Sequence, residues 1–75
     1  MTVSEMVKQV RNLPGCAEAI EGTRGSSIGT VVQASAEVLS GLRLAGVIGE
    51  RDGLTIKGSA AAMRMQAEHL ERMFA

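Results

Sequence analysis

Asp52-Gly53 stands between two short apolar runs, Val47-Ile48 and Leu54-Thr55-Ile56. Those two residue types tolerate the positive φ angles of a tight turn, so the segment predicts a two-stranded hairpin. The hairpin constrains everything around it, because the chain has only 75 residues. Such a length supports one domain, 1–75, and buries roughly 60% of its unfolded surface. A core that thin points to help from dimerisation.

Helical signals flank the hairpin. Thr2 followed by Glu5 is a capping-box pattern, and Met6, Val7, Val10 and Leu13 recur at helical spacing before Pro14-Gly15. A helix is predicted over about 3–13. Cys16 to Gly22 suits a two-turn helix and nearly suits a strand, and periodicity alone does not choose. Thr23 to Ser27 is a turn by composition. From about Ser27 to Ala45, Ile28, Val31 or Val32, Ser35, Val38 or Leu39, and Leu42 share one helical face, with Ser26 or Ser27 as cap and Gly46 as stop. After the hairpin, Lys57-Gly58 breaks the second strand and Ser59 caps a last helix. Its stripe is Met63, Ala67 and Leu70, completed by Met73 and Phe74.

The order is helix, short helix, turn, long helix, hairpin, helix. Leu39-x-x-Leu42-x-x-x-Gly46-Val47-Ile48 resembles the end of a recognition helix entering the wing of a winged helix-turn-helix regulator. Leu54-Thr55-Ile56-Lys57-Gly58 is similar to the return strand of bacterial members of that family. The resemblance covers 38–75 well and 14–37 vaguely. It implies an α+β, mostly helical fold with a recognition helix at about 27–45, a two-stranded wing at 47–57 and a trailing dimerisation helix at 59–75. The implied function is a small dimeric transcriptional regulator, with its helix in the major groove of double-stranded DNA and its wing on the backbone.

On that reading Thr30 and Gln33 face the major groove, where Gln can pair with adenine. Arg24, Ser26 and Ser27 precede the helix and suit phosphate contacts. Arg51 at the wing tip reaches the minor groove, and Lys57 a phosphate. Each residue taken singly is also an ordinary surface residue. Met63, Ala67, Leu70, Met73 and Phe74 form either a dimer seam or plain core. Three departures stand against the family pattern. The expected recognition helix carries one basic residue, Arg43; the stretch before Leu39 is about a turn too long; and the charge is neutral, with eight Lys and Arg against eight Asp and Glu.

Leu13-Pro14-Gly15-Cys16-Ala17 followed by Arg24-Gly25 resembles the start of roadblock-type domains. That resemblance implies a dimer binding a small GTPase or a larger complex. It would turn 17–22, 28–32 and 60–66 into strands. The alternative function is therefore a non-enzymatic protein-interaction module, built either on this fold or on a winged helix used for protein contacts.

Composition removes other classes. Phe74 is the one aromatic residue, which argues against base stacking on an aromatic platform. One cysteine and one histidine exclude an internal disulfide and the multi-Cys and two-His zinc motifs. Cys16 reads as a small buried hydrophobe and His69 as a solvated helix residue. No nucleophile–base pair, metal set or phosphate loop assembles, so neither enzyme activity nor a cofactor is expected. No apolar run nears the roughly 18 residues of a spanning helix, and Met1 leads into a polar segment. A cytoplasmic protein without a membrane partner is expected.

Overall fold

Thr2 starts the first helix as the sequence predicts. Its hydroxyl accepts from the Glu5 amide at 3.1 Å, and the Glu5 carboxylate accepts from the Thr2 amide at 3.0 Å. The computed structural model describes residues 1–75. Its helices are α1 Val3–Asn12, α2 Cys16–Glu21, α3 Ala36–Leu44 and α4 Ile56–Phe74, together 59% of the chain. Gly15, at φ 78°, makes the turn from α1 into α2 that a side chain would strain. The open choice at 16–22 thus resolves to helix, with Cys16 and Ile20 buried.

The expected α+β winged helix-turn-helix is not formed. The chain holds no strand, so there is no two-stranded wing and the fold is all-α. Residues 47–55 do turn back at Asp52, but only one antiparallel bridge joins the arms, Ile48 to Leu54. The physical reason lies at Thr55. Its hydroxyl accepts the Gly58 amide at 3.0 Å, which starts α4 at Ile56 and leaves the return arm only Gly53 and Leu54. Ser59 is consequently not the cap of α4. It lies inside the helix and donates to the Ser26 carbonyl.

The expected helix over 27–45 is also corrected. Only Ala36–Leu44 is helical, capped by the Ser35 hydroxyl, which accepts from the Val38 amide at 3.3 Å. Residues 23–35 run as an irregular arm, in which Gly25 and Gly29 take φ 103° and 87°. Glycine and the β-branched Ile28, Thr30, Val31 and Val32 are poor helix formers, and an extended partner is at hand. Gly29 and Val32 amides donate to the Leu54 and Asp52 carbonyls at 2.8 and 2.9 Å, and the Leu54 amide donates to Thr30 at 2.9 Å. Val31 and Gly53 form the second isolated bridge. Two of the segments that a roadblock topology makes strands, 17–22 and 60–66, lie essentially within α2 and α4.

Fourteen apolar residues form one core. α1 contributes Met6, Val7 and Val10; α2 contributes Cys16 and Ile20; α3 contributes Leu42. Val32, Val47, Ile48 and Leu54 fill it from the connecting segments. α4 packs against α1 and α2, with Ala61, Ala62 and the flexible Met65 buried, while Gly58 at its start lies on the backbone of Val47. Small side chains there let the helix axes approach closely. No helix is long and apolar enough to cross a membrane.

Candidate interaction surface

Polar ties fix the rotation of α4 about its own axis. Gln66 donates its side-chain amide to the carbonyls of Ile20, Thr23 and Gly25 at 3.2, 3.2 and 2.9 Å, which holds the end of α2. On the opposite flank Arg64 donates to the Ser4 hydroxyl at 2.8 Å. Further along, Glu68 accepts from Arg11 at 3.1 Å. The carboxylate of Glu21, largely shielded from water, gathers Arg72 at 2.9 Å, Arg11 at 3.3 Å and His69 at 3.7 Å. His69 is therefore not a free helix position, but sits beside an acid on α2.

With that rotation set, one face of α4 looks away from the core. Ile56, Ala60, Met63, Ala67, Leu70 and Phe74 follow one another in steps of four, three, four, three and four. At about 3.6 residues per turn they fall within an arc of roughly 80°, on the side opposite Ala61, Ala62 and Met65. The large members are open to solvent: Ile56 is 74% exposed, Met63 55%, Leu70 52% and Phe74 81%. Ala67 is exposed and Ala60 half-buried. Alternation of fours and threes is the seam of a coiled coil, in which apolar residues recur about every 3.5 residues. Exposed large apolar side chains scattered singly need no explanation, whereas four aligned along one helix, with two alanines between them, mark a contact surface.

Four of the five residues expected at a dimer seam, Met63, Ala67, Leu70 and Phe74, thus lie on this stripe and outside the core. Met73 is exposed but sits on its flank, about a quarter turn away. Ile56 and Ala60 were not expected there, because Ile56 reads as a strand residue when α4 starts at Ser59. The heptad spacing, continued backward from Met63, reaches both.

The stripe runs into an apolar groove at the start of α4. Met1, Met6, Ile28, Ala45 and Ile56 line it, with Gly46, Thr55 and Lys57 at its margins. Lys57 donates to the Met1 backbone carbonyl and so closes one side.

The residues expected to contact DNA scatter by comparison. Thr30 and Gln33 lie on the irregular arm and not on a helix, so no helical face presents them to a groove. Arg24 and Gln33 come together, lining a cleft of about 460 Å³ with Thr23, Val31 and Glu18. Ser27 is exposed, and the Ser26 carbonyl is taken up by Ser59. Arg51 is exposed in the 49–52 turn, and Lys57 belongs to the apolar groove. Arg43, the one basic residue of α3, is held by Asp52 at 2.6 and 3.1 Å. No three His, Cys, Asp or Glu side chains converge on a metal-sized site.

No family model matches the chain, and neither the curated proteins nor the solved structures compared with it give a match.

Proposed function

We propose that this protein is a non-enzymatic interaction module of the cytoplasm that works as a homodimer joined through α4. The observation that carries the reading is the heptad-spaced stripe on the solvent face of α4. A helix that packs small residues inward and displays Ile, Met, Leu and Phe outward has two apolar faces. The body of the protein covers only one of them, and burial of the other is favourable in proportion to its apolar area.

Protein contacts fit the remaining surface better than duplex DNA does. Three of the arginines, Arg11, Arg43 and Arg72, are paired with carboxylates. The cleft that gathers Arg24 and Gln33 also contains Glu18, and a carboxylate beside the guanidinium repels phosphate. An arginine, a carboxylate, an amide and the apolar Val31 together suit a peptide segment with both donors and acceptors.

The test is light scattering over a range of concentrations, on the wild type and on Met63→Glu/Leu70→Glu. The wild type is expected to dimerise, and the double variant to stay monomeric with an unchanged circular dichroism spectrum. A wild type that remains monomeric at hundreds of micromolar removes the proposal. Anisotropy titration with random-sequence duplex DNA runs alongside it. Salt-sensitive binding there would return the protein to the DNA-binding class.

A further inference from the structure

We infer that the second copy packs antiparallel, with Phe74 of each subunit seated in the apolar groove at the start of α4 of the other. This rests on the dimer proposed for α4 and specifies its register. The stripe is self-complementary only in this direction. Reversed about residue 65, Ile56 meets Phe74 of the second copy, Ala60 meets Leu70, and Met63 meets Ala67. Every layer then pairs a large side chain with a smaller one, or an aliphatic one with the aromatic ring, and layers of even thickness interdigitate without voids. A parallel, in-register pair instead stacks Ala60 on Ala60 and Ala67 on Ala67, between layers of paired Met63, Leu70 and Phe74. Gaps would alternate with bulges, and gaps forfeit contact energy outright.

The groove supplies an observation independent of the spacing. It lies at the Ile56 end of the stripe, lined by Met1, Met6, Ile28 and Ala45. The one aromatic side chain lies at the other end, on a helix whose 19 residues span about 28 Å. Only a reversed partner brings the ring of one copy over the groove of the other, and the two-fold axis makes the contact twice. Methionines around the groove are adaptable and pack well against an aromatic ring. In a parallel pair both grooves would stay open.

Charge agrees with the direction. Lys57 and Glu71 occupy equivalent flanking positions two heptads apart, so reversal about the middle of the helix brings Lys57 of each copy near Glu71 of the other. Arg64 falls close to the axis, where it would face its own copy. Its guanidinium is drawn aside to Ser4, which keeps the like charges apart.

Disulfide exchange in a glutathione buffer tests the register. In a Cys16→Ala background, Ala60→Cys and Leu70→Cys chains are mixed in equal amounts, since a disulfide needs Cβ atoms about 3.8 Å apart. The mixed species is expected to exceed either self-linked species by at least about tenfold, the ratio that a 1.4 kcal/mol preference gives. Dominant self-linking of Ala60→Cys would mean a parallel pair and overturn the inference, while the dimer itself stands. A dimer seen by light scattering that links in neither way would also overturn it. A monomer by light scattering defeats the dimer first, which separates the two failures. Charge exchange provides a second reading that leaves the six stripe residues unchanged, and the double variant separates the charge pair from the place of Lys57 at the groove margin. Lys57→Glu is expected to raise the dimer Kd about two- to fivefold, and Lys57→Glu/Glu71→Lys to restore it. An unchanged Kd in Lys57→Glu, or a double variant that binds no tighter than Lys57→Glu alone, would overturn the proposed register.

Discussion

Gly58 of α4 lies directly on the backbone of Val47. A β-carbon on Gly58 would overlap the Val47 carbonyl oxygen and stand 2.7 Å from its carbon and 2.9 Å from the Thr55 hydroxyl. The chain reversal at 47–55 and the first turn of α4 are thus in backbone contact, and only glycine permits it. The glycine that reads as a strand breaker is a packing residue inside a helix.

Gly58→Ala is therefore expected to lower stability by about 3 kcal/mol or more, since neither backbone can move without opening the core. Gly41 in α3 behaves oppositely. A β-carbon there meets Cys16 Sγ at 3.5 Å and Leu13 Cδ1 at 3.6 Å, which is ordinary contact. Gly41→Ala is expected to raise stability by up to about 1 kcal/mol through helix propensity. Urea midpoints of the two variants check both signs.

Gln66 concentrates three backbone carbonyls on one side-chain amide. Its replacement by Leu leaves the end of α2 and the start of the 23–35 arm without those donors. Water reaches part of the site, so the expected loss is about 1–3 kcal/mol, the cost of stranding half-buried acceptors. Hydrogen exchange is expected to quicken at residues 20–25 and not in α1. Equal change in both would show that Gln66 is a general core residue and not a local staple.

The elements nearest to pure local physics were legible in the sequence. Thr2 and Glu5 specify their own capping box, and Pro14-Gly15 specifies its own turn. The 27–45 stretch was not legible, because Ile28, Val32, Ser35, Leu39 and Leu42 fit a helical face by spacing alone. Their spacing does not reveal that Leu54 and Asp52 offer backbone partners to Gly29 and Val32 from across the chain. The strand expectation at Leu54-Thr55-Ile56 failed for a related reason. β-branched residues favour strands, but Thr55 also caps helices, and the cap prevailed because Gly58 lets α4 start against Val47. The outward stripe was half visible. Met63, Ala67, Leu70 and Phe74 can be aligned from sequence, yet only the packed face of Ala61, Ala62 and Met65 shows that the stripe is left over.

Cys16 gives a pH-dependent prediction. Burial pushes its thiol pKa up, and nearby Glu18 adds to the shift. The folded protein therefore holds the proton more tightly than the unfolded chain does. The stability tied to the neutral thiol is full below the ordinary thiol range and is lost as pH rises from there through the raised pKa of the folded state. Thermal midpoints of the wild type are expected to fall more steeply on the alkaline side than those of Cys16→Ala. Alkylation by a neutral reagent is expected to be slow in the folded state and to accelerate with urea, because the thiolate is the reacting form. Parallel pH slopes for the two proteins would show that the thiol does not contribute.

Leu70 and Leu42 separate the two apolar faces of the molecule. Leu42 is fully buried in α3, whereas Leu70 is half exposed on the α4 stripe. Leu42→Ala removes core contacts in each subunit and is expected to cost about 2–5 kcal/mol at every protein concentration. Leu70→Glu leaves the core untouched and places a charge in the seam. A dimer ties its thermal midpoint to concentration by mass action, so the wild-type midpoint is expected to rise as the protein is concentrated. In Leu70→Glu that rise should vanish, with the midpoint settling near the dilute wild-type value. Calorimetry at micromolar and at hundreds of micromolar protein distinguishes the cases. A concentration-independent wild type, or a Leu70→Glu variant destabilised even when dilute, would place Leu70 in the fold of the monomer and not at an interface.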